Sequence, residues 1–175
     1  MAAHDRIRMR LIPLTLASGV IILDQISKIL ITAFVPIGER PIELFGDFLW
    51  IVHVRNTAIA FNIGRNLPPG TQRTLFSLLP LLVLAGLFLY YLFTNDTVTR
   101  FQRWCFAALI GGGLGNYVDR LFRPDGVVDF VSVKFYGIFG LARWPTFNVA
   151  DSTVVIAGIL LFLSFLKPTP AGGST

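Results

Sequence analysis

The sequence predicts a membrane all-α protein, a four-transmembrane-helix bundle with a small extracytoplasmic β-element. Three observations carry that expectation. The 175 residues are 54% hydrophobic and 14% charged, with a mean hydropathy of +0.67, the profile of a chain whose main solvent is lipid. Four apolar segments each approach the ~20 residues that cross a bilayer. Outside them lie two short runs rich in β-branched and aromatic residues. A single domain over 1–167 is expected, with residues 168–175, PTPAGGST, as a disordered tail.

The first helix is expected over about 11–34. Arg6, Arg8 and Arg10 precede it, as in a secretory signal peptide. The apolar run continues past Ala17-Ser18-Gly19 to Val35, too long for a typical signal h-region, so it reads as a retained helix. Phe48 to Val54 is rich in β-branched and aromatic residues and reads as a strand. The second helix is expected over 75–93. The third spans 101–121 and is weakened by glycines. Val127 to Val133 reads as another strand, and the fourth helix covers 147–166. Trp50, Trp104, Trp144 and Tyr90-Tyr91 fall near segment ends, where an aromatic belt belongs. No internal repeat is visible, which counts against an inverted-repeat transporter.

Orientation follows from the basic residues that flank the segments. Arg6, Arg8, Arg10, Arg100, Arg103 and Lys167 sit in short stretches on one side. Arg40, Arg55, Arg65, Arg73, Arg123, Lys134 and Arg143 are spread through the two long loops on the other. The denser side is expected in the cytoplasm, with both termini inside and both long loops outside.

Composition also removes function classes. Cys105 is the only cysteine, so neither an intrachain disulfide nor a cysteine cluster for zinc can form. His4 and His53 are the only histidines, too few for a histidine-rich metal site or a histidine proton relay. The formal charge of +5 lacks a basic run interleaved with aromatics, so no nucleic-acid partner is expected. HExxH, GxSxG, GxGD and Walker-type phosphate loops are all absent.

What remains is a set of carboxylates in apolar surroundings. One carboxylate at a helix centre costs about 2.5–3.5 kcal/mol or more in lipid. Asp24 and Lys28 stand at i and i+4 on the first helix, either as a self-neutralised pair or as a chemical element. In the run GGGLGNYVDR at 111–120, Asn116, Asp119 and Arg120 project from one face. They form either a polar knot that locks the bundle or the wall of a polar cavity. Asn148 and Asp151 open the fourth helix, where an N-cap and the helix dipole could account for them. Asp129 sits in Val127-Val128-Asp129-Phe130-Val131 without a partner nearby in sequence. Two carboxylates brought together at a membrane face can share a proton and activate a water.

Taken together, five boxes resemble the bacterial lipoprotein signal peptidase family, signal peptidase II. They are DQISK at 24–28, RNTAIAF at 55–61, GGGLGNYVDR at 111–120, VVDF at 127–130 and FNVADS at 147–152. The resemblance implies an aspartic endopeptidase of the bacterial inner membrane. Such an enzyme removes signal peptides from diacylglyceryl-modified prolipoproteins, cleaving before the lipidated cysteine. It implies Asp129 and Asp151 as the catalytic dyad and Asn56, Asn116, Arg120 and Asn148 as substrate-binding residues. Asp24, Lys28 and Asp119 would be their structural support. It also implies a monomer with the active site at the extracytoplasmic side, membrane lipid and lipid-modified prolipoprotein as partners, and no metal or cofactor. One departure is local: Ala58-Ile59 stand where the family commonly has Gly-Ala. A proton-coupled transporter and a structural assembly factor are the rival classes. The clustering of the acids towards the outer face and the small helix count argue against the first.

Overall fold

The computed structural model describes residues 3–57, 68–94 and 98–166. Ala58-Ile59 and the tail at 168–175 lie outside the described residues. The chain runs α1 (Ala3–Phe34), β1 (Ile42–Leu44), β2 (Leu49–Asn56), α2 (Pro69–Phe93), α3 (Arg100–Phe122), β3 (Val127–Val133) and α4 (Val149–Leu166). A short 3-10 turn at Ile138–Gly140 lies between β3 and α4.

Helix α3 is the hub, packing against α1, α2 and α4. Its glycines make this possible by letting backbones touch. A Cβ on Gly111 would stand 2.8 Å from the Ala17 backbone of α1, and one on Gly112 would stand 2.7 Å from the Ala150 carbonyl of α4. On a third side, Gly113 accommodates Leu84 of α2. Helices of ordinary surface could not approach so closely without overpacking.

The faces turned away from α3 are apolar and exposed, as in Ile22, Leu23 and Ile29 of α1 and Ile156, Ile159 and Phe162 of α4. Arg10–Phe34 and Val149–Leu166 are each long and apolar enough to cross a membrane, and Ser77–Phe93 is a shorter apolar helix. Helix α3 is capped by Thr99, whose hydroxyl accepts from the Gln102 amide, while Gln102 reciprocates. At the same end, Tyr91 departs from the belt expected for it. Its ring is buried among Val98, Phe106 and Ile110, and its hydroxyl donates to the Arg10 carbonyl. A phenol that finds an acceptor can enter a core, and this one ties α2 to α1.

The strands form one antiparallel sheet in the order β1-β2-β3. The first strand was not legible, since three exposed residues between Pro41 and Gly46 carry no period. The β2–β3 register slips between Ile51 and Val54, where β2 holds one residue more than its partner. Inside that bulge, His53 is buried and its Nδ1 lies 2.7 Å from the Val35 carbonyl at the end of α1. The sheet is thereby fixed to the bundle. Phe147, just before α4, bridges Val131 of β3 through backbone bonds in both directions.

Candidate active site

One buried cation organises the site. The Lys28 ammonium donates to Asp24 at 2.7 Å, Asp119 at 3.0 Å and the Asn116 amide oxygen at 2.8 Å. Three protons meet three acceptors, and Asp24, Lys28 and Asp119 are all fully buried. Burying charges is costly unless they are paired and hydrogen-bonded, and this cluster is both. Each acid also grips a backbone. Asp24 accepts from the Ala150 amide at 3.0 Å, at the start of α4. Asp119 accepts from the Val128 amide at 3.1 Å, at the start of β3. Asp24 and Asp119 thus hold the two elements that carry Asp151 and Asp129. Gly115 makes room, because a Cβ there would stand 2.9 Å from an Asp24 carboxylate oxygen.

Two residues of this cluster escaped the sequence reading. Gln25 donates from its amide to the Gly115 carbonyl and to Asp119, both at 3.0 Å. Arg123 forms an ion pair with Asp119 one turn away. The i, i+4 spacing of Asp119 and Arg123 was visible in the sequence and signals the second contact. For its bonds to Gly115 and Asp119 Gln25 gives no such signal, since both belong to another helix.

The asparagines pass this order outward. The Asn116 oxygen faces Lys28, which can only donate, so its Nδ2 must point the other way. That nitrogen donates to Asp151 at 2.7 Å. Asn148 is the N-cap of α4: its oxygen accepts from the Asp151 amide at 2.9 Å, and Asp151 accepts from the Asn148 amide at 3.2 Å. With its oxygen so engaged, Asn148 directs Nδ2 to Asp129 at 2.7 Å and to the Asn116 oxygen at 3.0 Å. Asn56, at the end of β2, donates to the other Asp129 oxygen at 2.9 Å. Gly126 holds that strand end close, because a Cβ there would collide with the Asn56 carbonyl.

All four oxygens of Asp129 and Asp151 therefore carry a donor, and Asn148 touches both acids. Asp129 is 1% exposed. Its carboxyl is raised from 3.8 to about 6, by burial first and by the negative charge of Asp151, against hydrogen bonds from Asn56 and Asn148. Arg120, half-buried on α3, lies within the electrostatic reach of Asp151, Asp129 and Asp119. All nine residues singled out from the sequence thus converge on one region. The structural accounts of Asp24 with Lys28 and of Asn148 as a cap both hold, and the same contacts build the surroundings of the two acids. Among the described residues, no three His, Cys, Asp or Glu side chains are grouped so as to hold a metal ion. A raised carboxyl beside a second carboxylate is the arrangement that shares one proton and handles water.

Comparison with known proteins points the same way. The family model described as signal peptidase (SPase) II matches residues 16–167. A lipoprotein signal peptidase of Treponema pallidum (strain Nichols) is 44% identical over 156 residues, covering 89% of this chain and 83% of the relative. One from Borrelia turicatae (strain 91E135) is 46% identical over 148 residues, covering 85% of each. Two solved bacterial membrane enzymes, determined by the in meso method, share the fold with a TM-score of 0.74 each. They are 29% and 31% identical and cover 93% and 90% of this chain, and 92% and 94% of their own.

Proposed function

We infer the details of the chemistry from the family: the chain belongs to the signal peptidase II family. It is a membrane aspartic endopeptidase that removes the signal peptide from prolipoproteins, before the diacylglyceryl-modified cysteine. We propose that Asp129 and Asp151 are its catalytic dyad. The observation that carries this is Asn148, whose side chain donates to the Asp129 carboxyl while its backbone amide donates to the Asp151 carboxyl, and which is continuous through Asn116 with the Lys28 cluster. Asp151 stands in the first turn of α4, where the dipole and a backbone amide favour the ionised form. Asp129 is the more deeply buried acid, 1% exposed where Asp151 is half-buried, which favours its protonated form.

In this reading Asp151 takes a proton from water as the water attacks the scissile carbonyl carbon. Asp129 gives its proton to the carbonyl oxygen. The resulting tetrahedral species collapses as the amide nitrogen is protonated, and the pair recovers its single shared proton. Asn56, Asn116, Arg120 and Asn148 position the peptide, and Asp24, Lys28 and Asp119 support them. The acting unit is a monomer in the inner membrane with four spans and one domain over 1–167. Both termini are cytoplasmic and the dyad is at the outer face. The exposed apolar faces of α1 and α4 and the flanking basic residues support that placement.

A substrate already in the bilayer gains little affinity from its acyl chains, which move from lipid to lipid. The diacylglyceryl group instead orients the scissile bond at the dyad. Lipidated precursor should therefore be cleaved, and the same precursor without lipid should not, at equal density in the same vesicles. Equal rates for the two would remove lipid-guided positioning from the mechanism.

A further inference from the structure

The far end of the sheet, away from Asn56 and Asp129, carries an unusual set of turns. Three non-glycine residues have positive φ among the described residues: Phe45 at 53°, Tyr136 at 53° and Phe139 at 54°. Each is followed by a glycine that also has positive φ, Gly46, Gly137 and Gly140. Paired positive φ values belong to turns that favour Asn-Gly or Gly-Gly, because a bulky side chain is strained there. Here the strained position bears an aromatic ring every time. These rings are also among the most exposed in the chain, at 83% for Phe45, 69% for Tyr136 and 89% for Phe139. In water alone, both the backbone and the side chain would be badly placed.

The two loops form one surface. Lys134 donates its backbone amide to the Phe48 carbonyl, and its ammonium pairs with Asp47. Arg143 donates to the Ser132 hydroxyl at 2.9 Å, the Ser132 carbonyl at 2.8 Å and the Asp47 carbonyl at 3.0 Å. Its guanidinium lies over the Trp50 ring at 3.6 Å. The Phe135 ring packs between Phe139 and Trp144. The turns are therefore held in place by a charged, hydrogen-bonded base, with aromatic tips beyond it. Exposed Phe34 and Ile37 continue the apolar surface from the lipid-facing side of α1 towards β1.

We propose that the aromatic tips at Phe45 and at Tyr136–Phe139 insert into the outer leaflet of the bilayer that holds the bundle, as a membrane anchor for the sheet. Phenyl and phenol rings suit the headgroup level, where one part of the side chain meets hydrocarbon and another meets water. The bilayer is chosen over a protein partner because the patch continues the helix surface that already faces lipid. Anchoring the far end would fix the tilt of β2 and β3, and with it the height of Asp129 above the membrane. The proposal does not depend on the peptidase chemistry.

The test reads depth, not turnover. Phe45→Cys and Phe139→Cys are made separately in a Cys105→Ser chain. Each is labelled with an environment-sensitive fluorophore and reconstituted in phosphatidylcholine vesicles. Both labels should emit to the blue of the same label in buffer. Both should be quenched more by a lipid with its nitroxide near the headgroup than by aqueous iodide. Iodide-dominated quenching at either position overturns the proposal. A second arm labels Ile138→Cys with and without Phe45→Asn/Tyr136→Asn/Phe139→Asn, since asparagine accepts positive φ and keeps the turns foldable. Lipid quenching at 138 should fall and iodide quenching rise in the asparagine background. Unchanged lipid quenching there also overturns it.

Discussion

Asn148 does two separable things, and the separation can be measured. Its oxygen caps α4, while its nitrogen holds Asp129 and Asn116. Serine can supply the cap but has no second donor of that reach. Asn148→Ser should therefore keep the α4 cap yet lower stability by about 1–3 kcal/mol, because the buried Asp129 loses a donor. Its turnover should fall up to about tenfold, the scale of a neutral hydrogen bond of about 0.5–1.5 kcal/mol. Parent-like turnover would remove Asn148 from the machinery. The proton on Asp129 gives a pH prediction. The Asp129 carboxyl rises from 3.8 to about 6 on folding, so its contribution to stability is fully present below the unfolded value. That contribution is lost as pH rises through about 6. Stability should decline with rising pH over that window, and Asp129→Asn should flatten the decline in thermal unfolding scans. In the same range kcat/KM should fall as pH rises past about 6, as the pair loses its shared proton. At this scale the sequence was only partly legible. Asp129 stood out as an acid without a local partner, but its partners Asn56 and Asn148 lie 73 and 19 positions away, so no helical or strand period connects them.

The elements place these residues through close contacts that substitutions can test. Gly112 meets the Ala150 carbonyl, and Gly115 meets Asp24 and Ala150. Gly112→Ala should lower stability by about 1–3 kcal/mol through overpacking, although alanine is the better helix former. A gain in stability would mean that the α3–α4 contact relaxes freely. Lys28→Met should be costlier than Asp24→Asn. It leaves two buried carboxylates without their ammonium, a loss on the order of 3–5 kcal/mol. The asparagine can still accept from the Ala150 amide. The four helices and β3 could be read in advance because apolar length and β-branched runs are local properties. The β1 strand, the bulge that buries His53 and the inward turn of Tyr91 were not, because each depends on a partner from another element.

Across the whole molecule, three helices meet on α3, and a sheet joined to that bundle brings a second acid to the first turn of α4. The site can hold four buried ionised or ionisable groups, Asp24, Lys28, Asp119 and Asp129, with Asp151 half-buried beside them, because they share partners: Lys28 serves Asp24 and Asp119, and asparagines carry the polarity on to Asp129 and Asp151. Chemistry of this kind needs no thiol, and Cys105 is buried within α3, so Cys105→Ser should cleave at the parent rate. A loss of turnover in that variant, with folding intact, would point to a different mechanism. The central claim is that Asp129 and Asp151 act as one unit. It is tested most directly by the turnover of a lipidated prolipoprotein by Asp129→Asn and by Asp151→Asn, each reconstituted in vesicles and checked for thermal unfolding. The account predicts that each variant unfolds cooperatively like the parent yet releases no signal peptide. Near-parent cleavage by either folded variant would contradict it.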